Sequence, residues 1–338
     1  MINYVYQLIA PRTITVKYKS LAPSADKVII RPEYLSICHA DQRYYKGERD
    51  AAVLRQKLPM ALIHEAMGHV VYDPTGTFKG GEKVVMIPNT PGTLADGVYE
   101  NYLRDSRFRS SGFDGFMREL VALTPDRVVS CEGINPVTAA ISEFISVAFH
   151  AAARLEAARS TPADRIGVWG DGGLGYLMAL VLKYLYPKAK ICVVGLDQTK
   201  LNRFTFADEV HNSTALPEDF HVDHAFECCG GSGCYFAGNQ IIDVINPQGT
   251  FMLMGVSEKE VPLNTRMVLE RGLTLVGCSR SGRVDFEAVM KFLRTPGMEA
   301  RVSRIITEVT EVKSIQDIYD AFDADITNPF KTVIKWSV

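Results

Sequence analysis

No stretch of these 338 residues approaches the roughly eighteen consecutive apolar side chains that a membrane-spanning helix needs. Met1-Ile2-Asn3-Tyr4 has neither the basic start nor the apolar core of a secretory signal. A cytoplasmic protein with no membrane partner is expected. A large excess of positive or negative residues is missing too: 37 Lys and Arg against 39 Asp and Glu leave a net charge of -2, which offers no general attraction to nucleic acid or anionic lipid. Any basic binding site must therefore be local. The seven cysteines, at 38, 131, 192, 228, 229, 234 and 278, are odd in number and scattered, which argues against a disulfide framework and suits a reducing compartment. The group Cys228-Cys229-Gly230-Gly231-Ser232-Gly233-Cys234 lacks paired CxxC spacing and follows an apolar run, Ala225-Phe226-Glu227. It reads as core cysteines rather than a second metal site. Internal repeats and low-complexity linkers are absent, and the length points to two domains, each large enough to bury a core.

What stands out in the second half is Asp164-Arg165-Ile166-Gly167-Val168-Trp169, a short apolar strand running into Gly170-Asp171-Gly172-Gly173-Leu174-Gly175, with an apolar helical run from Leu177 to Leu185 behind it. This is a GxGxxG motif in the strand–turn–helix setting it requires. Gly170, Gly172 and Gly175 permit a tight turn, close approach to a pyrophosphate and close helix packing, and the N–H groups of the turn, with Gly173 and Leu174, meet the anion at the helix N-terminus. Strands are expected at 166–169, 190–194, 222–227, 250–255 and 273–278, alternating with helices, the pattern of a parallel sheet built from βαβ units.

The first 142 residues alternate short β-rich runs, such as Lys27-Val28-Ile29-Ile30-Arg31, Gly68-His69-Val70-Val71-Tyr72 and Lys83-Val84-Val85-Met86-Ile87, with Pro and Gly turns and little helix. A small β-barrel is expected there. Within it, Ser36-Ile37-Cys38-His39-Ala40-Asp41 and Leu62-Ile63-His64-Glu65-Ala66 offer a thiol, an imidazole and a carboxylate. A catalytic Zn2+ takes three such ligands and keeps one position open, and Cys38, His64 and Glu65 would supply them. The bland alternatives are a buried free thiol, a satisfied core histidine and a surface glutamate. After about residue 283 the chain returns to mixed structure, with a helix near 285–294 and a strand at 331–336. The boundaries are therefore 1–142 with 283–338 for one domain and 143–282 for a dinucleotide-binding domain inserted between.

This arrangement resembles the zinc-dependent medium-chain dehydrogenase/reductase superfamily over the whole chain. The stretches Lys57-Leu58-Pro59-Met60, Phe108-Arg109-Ser110-Ser111-Gly112-Phe113-Asp114-Gly115-Phe116, Asp223-His224-Ala225-Phe226-Glu227-Cys228 and Gly277-Cys278-Ser279-Arg280-Ser281-Gly282 look closely like bacterial ribulose-5-phosphate reductases. Those enzymes make the ribitol 5-phosphate from which CDP-ribitol is formed for teichoic acids and capsules. The resemblance implies an α/β protein with a GroES-like β-barrel catalytic domain and a doubly wound Rossmann domain. It also puts Cys38, His64 and Glu65 on the catalytic zinc positions, Asp41 where a carboxylate fixes the imidazole tautomer, and Glu143 as a further ligand or the holder of a zinc-bound water. The implied chemistry is hydride transfer from a nicotinamide to C2 of the ketose, whose carbonyl the zinc polarises.

Two departures from the superfamily pattern matter. Residues 80–130 contain no cysteine, so the structural zinc of many relatives is not expected, leaving one zinc per chain. The usual Ser or Thr two places after the metal cysteine is Ala40, so the proton relay passes to Tyr44, which falls where polyol dehydrogenases place a substrate-contacting tyrosine, or to a water held by Glu143. For the cofactor, the superfamily pattern puts Gly195 where an acid would bind a ribose 2'-hydroxyl, with Lys200 nearby to attract a 2'-phosphate. NADPH follows, with Asp197 as the acid that a shifted register would restore. For the phosphate of a phosphorylated pentulose, Arg43 and Lys46 are the first choices, Arg43 by its bidentate fork. Ser110, Ser111, Arg118 and Arg280 come behind them, and an exposed charge or a turn hydroxyl is the plain alternative for each.

A homodimer or homotetramer, paired through the strand Leu273-Thr274-Leu275-Val276-Gly277, is expected, and a complex with a cytidylyltransferase fits the resembled pathway. The rival readings are an NAD-dependent polyol dehydrogenase acting on unphosphorylated sugar alcohols, a zinc-free non-catalytic dinucleotide-binding protein, and, less compatible with the Rossmann half, a zinc hydrolase.

Overall fold

A computed structural model describes all residues, 1–338. The chain divides into two compact units, Met1–Ser146 with Ser281–Val338, and Val147–Arg280.

In the first unit, alternating burial sets the fold. Val28–Ser36 lies against Glu65–Tyr72 on one side and Lys331–Trp336 on the other, within a seven-stranded sheet that also includes Val121–Leu123, Lys83–Met86, Val128–Ser130 and Ile306–Val312. Most of its pairings are antiparallel, but Lys331–Trp336 runs parallel to Ile306–Val312. A three-stranded sheet of Thr13–Ser20, Ile2–Ala10 and Met60–Ala61 completes the unit. One apolar cluster, including Val5, Leu8, Ile30, Leu35, Leu62, Phe116, Phe322 and Ile334, fills the space between.

The second unit is a six-stranded, wholly parallel sheet in the order Glu209–Asn212, Lys190–Gly195, Arg165–Trp169, Val222–Glu227, Ile245–Leu253, Thr274–Gly277. Numbered along the chain this is 3-2-1-4-5-6, the Rossmann order, and the Gly-rich turn leaves the first strand where the order reverses. The central strands are buried on both faces and correspondingly apolar, as in Ile191-Cys192-Val193-Val194.

The expected strands at 166–169, 190–194 and 222–227 agree with the structure to within a residue. The strand expected at 250–255 instead runs Ile245–Leu253. Asn246-Pro247-Gln248-Gly249 forms an irregularity inside the ladder, with Gln248 at φ 61°. Two short helices, His39–Tyr45 and Ala51–Lys57, interrupt the region expected to hold little helix. The stretch expected as mixed near the end contains the helix Ile315–Thr327.

Candidate active site

Cys38 leaves the strand Val28–Ser36 with extended backbone and caps the helix His39–Tyr45. Its N–H donates to Asp41 Oδ2 at 3.2 Å, and the Asp41 N–H donates back to the Cys38 carbonyl at 2.9 Å, so Asp41 is folded toward the thiol that precedes it. The other carboxylate oxygen accepts the Ile63 N–H at 2.9 Å and the Ser110 hydroxyl at 2.5 Å. Ile63 is a β-branched residue held at φ 67°, a conformation such a residue adopts only under constraint. It turns the chain immediately before His64 and Glu65. Glu65 begins the strand Glu65–Tyr72 and lies opposite Ser36 in the ladder, which brings both arms of the sheet to one place. Ligand atoms of Cys38, His64 and Glu65 all lie within 4.8 Å of one another.

Around this trio, Asp41 Oδ2 stands 3.7 Å from His64 Nδ1, an ion-pair separation longer than a hydrogen bond. Glu143, at the start of the helix Ser142–Ala158, places Oε2 4.0 Å from His64 Nε2. The Phe108 ring packs on the imidazole at 5.2 Å. Sequence reasoning missed Lys331. Its ammonium is buried, donates to Glu65 Oε1 at 2.7 Å and to the Ile37 carbonyl at 2.8 Å, and lies 4.8 Å over the Phe144 ring. The second oxygen of Glu65, Oε2, is buried with no hydrogen-bond partner.

Four potential anions, Cys38, Asp41, Glu65 and Glu143, thus surround one imidazole and one ammonium, and the titration of the cluster reflects it. Burial opposes the charged imidazole of His64, but Asp41 and Cys38 outweigh burial and hold it well above 6.5. Burial likewise opposes charge on Lys331, and Glu65 and Cys38 overcome it and raise the ammonium. Burial pushes the Glu143 carboxyl up to about 7, against the pull of His64 and with the push of Glu65.

The structure therefore gathers Cys38, His64, Glu65, Asp41 and Glu143 and adds Lys331. Tyr44, on the His39–Tyr45 helix, is buried at 2% exposure, with the Arg49 guanidinium 4.9 Å and the Lys57 ammonium 6.0 Å from its ring centre. Arg43 shares that helix, and Lys46 at its end pairs with Glu48 at 2.6 Å. Ser111 accepts from Lys57 at 2.9 Å, and Arg118 donates to the carbonyls of Asp114 and Gly115. Arg280 stands at φ 59° where the second unit ends.

In the second unit, Gly172 caps the helix Gly173–Leu185. A Cβ on Gly175 would lie 1.9 Å from the Gly170 carbonyl oxygen, so only glycine lets the helix close on the turn. A Cβ on Gly172 would meet no atom within 4 Å, so its own missing side chain leaves open space beside the helix N-terminus, the cradle a pyrophosphate needs. Gly195 ends the second strand. Sequence reasoning did not find Asp171, whose carboxylate fills the place of a Gly195 side chain and accepts the N–H groups of Leu196 and Asp197 at 2.7 and 2.8 Å. Asp197 caps the short helix Gln198–Leu201, accepting from the N–H groups of Thr199 and Lys200.

Residues 24–133 match the alcohol dehydrogenase GroES-like domain. Over its full length the chain is 49% identical to a ribulose-5-phosphate reductase of Streptococcus pneumoniae, across 340 residues and 98% of that protein. It is 48% identical to one of Bacillus spizizenii, across 341 residues and 100% of each. The crystal structure of S. aureus TarJ in complex with NADPH superposes with a TM-score of 0.88, at 44% identity and 99% coverage of both chains. On this full-length similarity, the chain belongs to the ribulose-5-phosphate reductase family of medium-chain dehydrogenases/reductases.

Proposed function

We propose that this oxidoreductase reduces D-ribulose 5-phosphate to D-ribitol 5-phosphate with NADPH at a single zinc. The observation that carries the reading is the Cys38–His64–Glu65 cluster, built into a chain about half identical from end to end to ribulose-5-phosphate reductases. The donor set suits the metal. It combines thiolate, imidazole and carboxylate, has surplus negative charge, and leaves one buried carboxylate oxygen, Glu65 Oε2, without a partner.

Cys38, His64 and Glu65 would hold a zinc, with Glu143 as fourth ligand or holder of a water, and the ion would supply Lewis-acid polarisation of the ketone oxygen. Gly170, Gly172, Gly173, Leu174 and Gly175 would hold the pyrophosphate of NADPH, and Gly195 and Lys200 its 2'-phosphate, and the cofactor would supply the hydride. The chain's own residues orient and protonate. Asp41, held by Ser110 and the Ile63 N–H, sets the His64 ring; Lys331 holds one oxygen of Glu65; Phe108 walls the imidazole. Tyr44, or a water held by Glu143, whose Oε2 lies 4.0 Å from His64 Nε2, passes the proton to the product hydroxyl, a role that Ala40 cannot fill. Tyr44, on the helix that follows Cys38, contacts the substrate.

The same reading assigns catalysis to the first unit, Met1–Ser146 with Ser281–Val338, which includes Glu143, and dinucleotide binding to the second, Val147–Arg280, a few residues inside the expected limits of 143 and 282. It places the protein in the cytoplasm as a homodimer or homotetramer, supplying a cytidylyltransferase that makes CDP-ribitol for teichoic acid or capsule.

The test is NADPH oxidation followed by absorbance with D-ribulose 5-phosphate, D-ribulose and D-fructose, repeated with NADH and after chelation. Chelator-sensitive turnover confined to NADPH and the phosphorylated ketose is expected. Cys38→Ser should lose zinc and turnover while keeping NADPH binding. Turnover of free sugars with NADH would identify a polyol dehydrogenase instead, and a fully active, zinc-free Cys38→Ser would sink the metal scheme.

A further inference from the structure

The metal cluster is rich in carboxylates, so a substrate phosphate needs cations of its own some way from them. We infer that Lys57 and Ser111, against the Tyr44 ring, form the subsite for the terminal phosphate of a ketose phosphate and set the preference for phosphorylated over free substrate; this rests on the reductase reading above.

Lys57 ends the helix Ala51–Lys57 and is half-buried. Its ammonium is held by a hydroxyl, Ser111 Oγ at 2.9 Å, and no carboxylate lies within ion-pair distance of it. Lys46, the cation favoured in the sequence alongside Arg43, is by contrast already paired with Glu48 at 2.6 Å. The Lys57 ammonium lies 6.0 Å and the Arg49 guanidinium 4.9 Å from the centre of the Tyr44 ring, so one aromatic ring has two positive groups beside it.

A single short segment ties this group to the metal ligands. Phe108 packs on His64, Ser110 donates to Asp41, and Ser111 receives Lys57. Ser110 and Gly112 on either side of Ser111 take left-handed backbone, at φ 59° and 89°, which turns consecutive hydroxyls to different partners. The Ser110 hydroxyl thus serves the imidazole's carboxylate and the Ser111 hydroxyl serves the ammonium. Lys57 and Ser111 would offer a phosphate a charge-assisted hydrogen bond and a hydroxyl donor.

The experiment measures kcat and KM of the zinc-loaded enzyme with D-ribulose 5-phosphate and with D-ribulose, at saturating NADPH, for wild type, Lys57→Met, Lys57→Arg and Ser111→Ala. Losing a hydrogen bond to a charged group should lower the kcat/KM ratio of phosphorylated to free substrate by roughly 10- to 150-fold in Lys57→Met. The loss should fall mainly on KM, with partial recovery in Lys57→Arg and a smaller fall in Ser111→Ala. An unchanged ratio, or equal losses on both ketoses, overturns the subsite. In a second series that varies NADPH at saturating ketose, a raised KM for NADPH with the ratio intact would reassign Lys57 to the cofactor's phosphates and overturn the subsite as well.

Inorganic phosphate titrated into wild type and Lys57→Met, read by thermal shift, tests the site apart from turnover. Stabilisation of wild type alone supports the subsite, and equal responses oppose it. If wild type reduced neither ketose yet showed that Lys57-dependent stabilisation, the reaction would fall and the anion site would stand.

Discussion

Lys331 shows how one buried charge organises its neighbours. By occupying Oε1 of Glu65 it leaves Oε2 as the carboxylate's only free acceptor, so the carboxylate has a defined side to offer a metal. Lys331→Met would strand a buried carboxylate, a loss of roughly 3–5 kcal/mol for a broken buried pair. We expect denaturant unfolding to show a lower midpoint for this variant without metal, and a smaller deficit once zinc is added. Equal deficits in both conditions would mean that Lys331 does not act through Glu65. Nothing in the sequence near Lys331 announces this role, because its partner lies 266 residues away. The convergence of Cys38, His64 and Glu65 could be anticipated because metal chemistry restricts the residue types to look for, and His64 and Glu65 are adjacent. Lys57 was equally hidden, since an isolated lysine at a helix end is usually a solvated one.

Among the structural elements, those with strong periodic signals were legible and those held by local contacts were not. The Gly-rich turn, its flanking strand and its helix were readable because βαβ geometry demands glycine and apolar runs there together. Ala51–Lys57 buries no residue fully and rests on its Asp50 cap, so it has no apolar stripe to detect. Ile315–Thr327 carried a detectable signal, the Ser314–Asp317 capping box and buried Ile318, Ala321 and Phe322.

The loop around Asp114 provides a pH test. Burial alone would raise this carboxyl, but Lys19, Gln7 and the Ala61 N–H outweigh burial and lower it below 3.8. A depressed folded value means that its stabilisation is fully present above pH 3.8 and is lost as pH falls through the folded value. Asp114→Asn should therefore lower stability by about 1 kcal/mol near neutrality. The gap to wild type should close in thermal melts recorded from pH 5 down to pH 2, and a constant gap would refute the assignment.

For the assembled protein, the sheet of the second unit ends in Thr274–Gly277, an edge with unpaired backbone groups on which a second copy can add its own strand. Light scattering should give a dimer or tetramer, and Thr274→Lys, which places a charge on an exposed edge position, should shift it toward monomer with little change in melting temperature. A wild type that is monomeric at micromolar concentration would end that expectation.

The strand Lys331–Trp336 lies between Val28–Ser36 and Ile306–Val312 in the first sheet, and it carries the ammonium that Glu65 requires. During synthesis, Cys38, His64 and Glu65 emerge long before it. The second unit, whose strands are contiguous in sequence, can fold while the first still waits for its final strand. The Cys38–His64–Glu65 cluster therefore lacks the ammonium that holds Glu65 until Lys331 has been made and its strand has joined the sheet.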